Sequence, residues 1–131
     1  MKYLLDSSAI FRAIKENKVE ALAGNYTINL ARYELGNIVW KDCGLQAKIS
    51  AQESKMLIKA VKRALGILEV LDVAGDEEGI LEIAMQLRIT FYDAAYVYAA
   101  KAKGMQLITE DSRLTKKAEV TVAASTLDDL R

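Results

Sequence analysis

The chain has 131 residues, 52% of them apolar and 27% charged, with eighteen Lys and Arg against eighteen Asp and Glu. Length and balance describe one globular domain over residues 1–131, able to bury roughly two-thirds of its unfolded surface with no disulfide or structural metal. The neutral total excludes an overall basic field, the lone Cys43 excludes an intramolecular disulfide or cysteine-based zinc site, and the absence of histidine excludes Ser-His-Asp triads, Cys-His dyads and imidazole acid–base chemistry.

Residues 2–5 form a short apolar run ending at Asp6-Ser7-Ser8, after which Ala9, Ile10, Ala13 and Ile14 recur at helical spacing: strand, sharp turn, helix. Only two consecutive leucines precede Asp6, too few for a signal peptide, and no window approaches the ~20 apolar residues of a membrane span. The single cysteine makes a reducing cytoplasm the expected setting. Gly24-Asn25 marks a turn before the β-rich segment Tyr26 to Leu30, and Leu35, Ile38 and Val39 open an amphipathic helix running to about Gly44. From Ser50, which with Glu53 has the spacing of a capping box, a longer helical pattern runs to Gly66. Ile67 to Val73 reads either as a strand or as a helix end, and Asp76 to Leu87 as a helix with Ile80, Ile83, Ala84 and Leu87 on one face. Phe91 to Lys103 is an alanine-rich helix closed by Gly104. Met105 to Thr109 has the character of a buried strand ending at Glu110-Asp111, and Val120 to Ala123 suits a last edge strand. This alternation implies an α/β domain with a largely parallel sheet flanked by helices.

In such sheets ligands bind beyond the carboxyl ends of the strands, which is where Asp6 and Asp111 fall. Each also has a plainer role, since Asp after a strand commonly caps the next helix. Glu34 is placed in the first turn of its helix, beside the apolar face, and Asp93 repeats the arrangement with Tyr96, Val97 and Ala100 following at i+3, i+4 and i+7. An inward carboxylate is costly without a partner. If two strand ends and two helix starts meet at one rim, four like charges repel. A hard divalent cation such as Mg²⁺ or Mn²⁺ is the simple compensation, and phosphodiester hydrolysis the chemistry it serves.

Four segments, Leu4-Leu5-Asp6-Ser7-Ser8-Ala9-Ile10, Arg32-Tyr33-Glu34-Leu35, Phe91-Tyr92-Asp93-Ala94-Ala95-Tyr96 and Ile108-Thr109-Glu110-Asp111-Ser112-Arg113-Leu114, resemble in order the motifs of PIN-domain nucleases. The compact size is most similar to the VapC toxins of type II toxin–antitoxin systems. The resemblance implies a PIN-like three-layer fold, with a central, mostly parallel sheet of four or five strands flanked by helices. It implies a Mg²⁺- or Mn²⁺-dependent endoribonuclease, active on RNA, homodimeric and restrained by a VapB-like antitoxin. It assigns metal binding and catalysis to Asp6, Glu34, Asp93 and Asp111. Ser7 and Ser8 stand where many members carry Asn or Thr, and Glu110 beside Asp111 competes for the fourth position. Two other readings stay open: an RNA-processing PIN nuclease without an antitoxin, and a catalytically silent PIN-fold interaction module.

A neutral nuclease still needs cations beside its cleft, and Arg12, Lys15, Arg113, Lys116 and Lys117 are candidates, with solvated helix surface as the alternative for each. Tyr92 and Tyr96 suit either base stacking or packing. Thr109 either orients Asp111 or ends a strand, and Trp40 suits either the core or a groove for a partner helix.

Overall fold

Residues 2–130 are described by a computed structural model, in which the first apolar run becomes β1 (Tyr3–Leu5), buried at every position as a central parallel strand requires. Asp6 caps α1 (Ser7–Lys15), and a 3-10 turn leads to β2 (Tyr26–Ile28) and α2 (Leu30–Trp40). A π-helical turn over Lys41–Leu45 extends α2 before α3 (Ala51–Ile67), whose start carries the expected Ser50/Glu53 capping box. There follow β3 (Glu69–Leu71), α4 (Glu77–Leu87), α5 (Phe91–Lys103), β4 (Gln106–Ile108), α6 (Ser112–Ala118) and β5 (Ala124–Ser125).

The strands lie in the order β3-β2-β1-β4-β5 with every neighbouring pair parallel. The chain steps outward from β1 to β2 and β3, then returns through α4 and α5 to place β4 on the other side of β1. That reversal makes the gap between the carboxyl ends of β1 and β4 the topological switch point of the sheet, where a cleft opens because the following segments diverge. Leu5 sits opposite Ile108, and the Asp6 N–H donates to the Ile108 carbonyl at 3.0 Å, carrying the ladder to the edge of that cleft.

Leu4, Leu5, Ile28, Leu107 and Ile108 from the strands, with Ile10, Leu35 and Val97 from the helices, belong to one contiguous buried core. The α5 helix packs across β1, β2 and β4, which explains why its inner face is Ala94, Ala95, Val97, Ala99 and Ala100: small side chains let a helix lie close to a sheet. The α4 helix packs on α5 at Gly79, where an added Cβ would lie 2.6 Å from the Tyr98 ring. Among the described residues no helix is long and apolar enough to cross a membrane.

The structure moves three boundaries. The α2 helix starts at Leu30 rather than Leu35, so Glu34 lies in the second turn instead of the first. Residues 69–71 settle the open segment as a strand, held by Asn25 and Asn29 through Glu69 N–H to Asn25 carbonyl (2.9 Å) and Asn29 N–H to Leu71 carbonyl (2.9 Å). The last strand is Ala124–Ser125, not Val120 to Ala123. Thr121 and Val122 N–H groups both donate back to the Ala118 carbonyl and Val120 is 77% exposed, so the β-branched run forms a turn despite its strand propensity.

Candidate active site

Asp6 follows β1 and Asp111 follows β4, and each does cap the next helix: Asp6 Oδ1 accepts from Ala9 N–H at 3.0 Å, and Asp111 Oδ1 accepts from Arg113 and Leu114 N–H at 2.9 and 3.2 Å. Capping occupies one oxygen of each carboxylate. Asp6 Oδ2 accepts from the Thr109 hydroxyl, and Asp111 Oδ2 has no protein partner among the described residues. Glu34 and Asp93 cap nothing. The α5 cap is Thr90, whose hydroxyl accepts from Asp93 N–H at 3.0 Å, so the Asp93 carboxylate is not needed as a cap.

A hydrogen-bonded frame ties these segments together. The Ser8 hydroxyl donates to Asp6 Oδ1 (2.6 Å) and accepts from Glu110 N–H (2.9 Å), while Thr109 Oγ1 accepts from Asp111 N–H (3.1 Å) as it donates to Asp6. Thr109 is fully buried and links the first acidic segment to the fourth. Glu34 Oε1 accepts from Ser7 (3.1 Å) and from the Tyr96 hydroxyl (2.6 Å), joining the second segment to the first and third. Tyr96 is 1% exposed, which removes it from base stacking and makes it a positioning group for Glu34. Its role was not readable from spacing, since a tyrosine on an apolar helix face looks like packing until its hydroxyl finds an acceptor.

The electrostatics report the same convergence. Burial above all, with a smaller contribution from the Asp93 charge, pushes the Asp6 carboxyl up to about 6 against the hydrogen bonds from Ser8, Thr109 and Ala9. Burial, then the charges of Asp111 and Glu34, raises the Asp93 carboxyl above its ordinary value, against the Thr90 hydrogen bond. Asp93 thus feels Asp111 and Glu34, and its own charge acts on Asp6. Among the described residues none of the four forms an ion pair. Nor do any three Asp, Glu, Cys or His side chains come close enough together to enclose an ion. The structure therefore brings the four acids to one rim without closing them into a cage. As a donor set they fit a hard divalent cation in kind: all are oxygens, they repel one another, and among the described residues Glu34 Oε2 and Asp111 Oδ2 have no protein donor.

The structure separates Glu110 from this group. Its carboxylate takes Arg12 Nη1 at 2.7 Å and Leu127 N–H at 2.8 Å, holding the C-terminal turn against α1. Arg12 also pairs with Glu16 (2.7 Å) and Asp128 (2.6 Å), so it is a structural clasp and not a free cation for nucleic acid. Lys15 lies over the Phe11 ring. Arg113 and Lys117 do border the acids: with Arg88 they line a cavity of about 210 Å³ that also contains Asp93 and Asp111, whereas Lys116 lies outside it. On the other flank Tyr33, Phe91 and Tyr92, exposed next to Glu34 and Asp93, line an apolar groove of about 340 Å³. Trp40 is 56% exposed and does not belong to the core.

Comparison with known proteins supports the fold. Exonuclease VapC9 of Pyrobaculum aerophilum is 31% identical over 138 residues, covering 97% of this chain and 93% of the relative. Ribonuclease VapC3 of the same organism is 28% identical over 125 residues, covering 89% and 95%. The crystal structure of PAE2754, also from Pyrobaculum aerophilum, is similar with a TM-score of 0.82 at 28% identity over 99% of this chain and 95% of that one. The VapBC2 structure from Rickettsia felis shares the fold at 19% identity, with a TM-score of 0.70 over 96% and 98% of the two chains. The PIN domain model matches residues 3–120, from β1 past α6, a span that contains all four acids and the switch point between β1 and β4. The chain belongs to the PIN domain family.

Proposed function

We propose that this protein is a Mg²⁺- or Mn²⁺-dependent endoribonuclease of the VapC kind, hydrolysing RNA phosphodiester bonds at the rim between β1 and β4. The observation that carries the reading is the set of carboxylates drawn from four separate segments, mutually repelling and without an ion-pair partner among the described residues. A structural protein gains nothing from that arrangement, whereas a site for divalent cations requires it. The names of the relatives, one a ribonuclease and one an exonuclease, support nuclease chemistry.

Asp6, Glu34, Asp93 and Asp111 would hold the metal. When bound, the ion activates water for attack and offsets charge on the phosphodiester. The chain's own groups prepare that chemistry. Thr109 and Ser8 fix both Asp6 oxygens, and Tyr96 and Ser7 fix Glu34 Oε1, so Oε2 is presented from a carboxylate that cannot rotate freely. Asp93 would present to the ion a carboxylate that no described cation pairs with.

Cleavage of single-stranded RNA with Mg²⁺ or Mn²⁺, abolished by EDTA and by Asp93→Asn, tests the reading; undiminished cleavage in either case removes it. The VapC9 name motivates a second reading, removal of nucleotides from an end. Circular RNA separates the two, because only an endonuclease cuts it. A VapB-like antitoxin and a homodimer belong to the proposal through VapC likeness, and copurification with a small DNA-binding protein encoded beside the gene tests the first of them.

A further inference from the structure

We infer that the cavity lined by Arg88, Arg113 and Lys117 is a phosphate subsite for the RNA strand, seating a backbone phosphate beside the cleavage point. The inference rests on the nuclease reading and adds where the polyanion is held. Three cations from two distant stretches of chain, the end of α4 and the helix α6, face one small cavity whose remaining polar wall is Asp93, Asp111 and Thr90.

Cations and carboxylates that share a cavity ordinarily pair. Here they do not: among the described residues neither arginine forms an ion pair, and Lys117 Nζ donates to the Arg88 carbonyl at 2.9 Å instead of reaching an acid. That contrasts with Arg12, which is fully committed to Glu16, Glu110 and Asp128. The uncommitted guanidiniums are planar forks that match phosphate oxygens, and the chain as a whole has no net positive charge to draw RNA in by other means. Arg88 also occupies the left-handed C-cap of α4 at φ 57°, a conformation that favours glycine. An arginine tolerated there lines the cavity at a cost in backbone strain.

Occupancy by a phosphate would fix the strand against the cation wall while the acids act on the neighbouring bond. It would also hold the guanidiniums away from Asp93 and Asp111, which a metal needs free. Proximity of this kind aligns the scissile bond without either guanidinium touching the reacting atoms, so Arg88 and Arg113 are positioning residues.

The test measures binding of a short mixed-sequence single-stranded RNA in EDTA, over a range of salt, to wild type, Arg113→Gln and Arg88→Gly. A control, Lys103→Gln, lies about 15 Å along α5 from Asp93. Each arginine variant should weaken binding about tenfold and flatten the slope of log affinity against log salt by about 0.7, as expected for one lost phosphate contact on a single strand. Arg88→Gly relieves the left-handed backbone, so it should melt no lower than wild type while binding less, which separates lost contact from lost fold. In cleavage assays both variants should raise KM more than they lower kcat. Unchanged affinity and slope in Arg113→Gln and Arg88→Gly, or an equal loss in Lys103→Gln, overturns the subsite. Weakened binding in the arginine variants of a protein that never cleaves RNA would overturn the nuclease reading and leave the subsite standing.

Discussion

In the metal-free protein, Asp6→Asn should change stability with opposite sign at low and high pH. Asp6 is 5% exposed, and its carboxyl is raised from 3.8 to about 6, chiefly by burial. A gap of about two units, at about 1.4 kcal/mol each, corresponds to about 3 kcal/mol of pH-dependent stability. The unfolded acid ionises near its ordinary value while the folded one resists until about pH 6, so the contribution is fully present below pH 3.8. It is lost as pH rises through about 6 and is flat above. Asparagine has no such titration. It keeps an Oδ1 acceptor for Ala9 N–H and Ser8, but its amide meets Thr109 Oγ1, which must then turn its proton toward Ser8, 3.3 Å away. Inverting that chain costs about 1 kcal/mol. The variant should therefore be about 1 kcal/mol less stable than wild type near pH 4 and about 1–2 kcal/mol more stable near pH 8. Urea unfolding of both proteins in EDTA across that range supplies the difference, from which most titrations common to the two cancel. A difference that stays constant with pH, or a loss of several kcal/mol at both ends, would refute the argument and leave Asp6 above all a cap.

Metal binding gives a second measurement: Mn²⁺ at a hundredfold excess over its Kd should stabilise wild type by about 2.7 kcal/mol, and Asp93→Asn far less, in thermal melts. Equal shifts in both proteins would place the ion elsewhere. Tyr96→Phe keeps the buried ring and deletes the hydroxyl held by Glu34; stability should fall by about 1 kcal/mol and kcat by more than KM rises, because Glu34 loses its orientation. An unaltered kcat would reduce Tyr96 to packing. Glu110→Gln should cost about 1–2 kcal/mol by loosening the Arg12 clasp yet retain metal-dependent cleavage, whereas Asp111→Asn should lose cleavage. Reversed outcomes would exchange the roles of the adjacent acids.

The fold was legible wherever one local signal coincided with burial. The Tyr3–Leu5 strand, the Ser50/Glu53 capping box and the Phe91–Lys103 helix closed by Gly104 stand where periodicity and capping place them. Boundaries failed where tertiary contacts outweighed propensity. Val120-Thr121-Val122 has the residues of a strand, but the end of α6 binds the Thr121 and Val122 N–H groups and the sheet pairs only from the next residue, at Leu107 N–H to Ala123 carbonyl (2.8 Å). The acids were visible as types at strand ends and helix starts. Their frame was not, because Thr109 to Asp6 and Tyr96 to Glu34 span 103 and 62 residues and leave no periodic trace. The choice between Glu110 and Asp111 likewise depended on Arg12, 98 residues from Glu110.

Capping and the proposed cation binding are compatible duties for Asp6 and Asp111, which is why neither residue alone distinguishes them. An Asp at the end of a parallel strand aims one oxygen at the first turn of the next helix, and the geometry that does so leaves the other beside the switch point. Asp93 and Glu34 discriminate. Thr90 already caps α5, so the Asp93 carboxylate does no capping work, and its neighbours Asp111 and Glu34 make its charge harder to carry. Asparagine at position 93 would keep the shape and remove the repulsion, and by stability alone it would be preferred. A half-buried carboxylate held where Asp111 and Glu34 oppose its ionisation is what the proposed cation site would require, because a divalent cation between them would reverse the sign of their interaction.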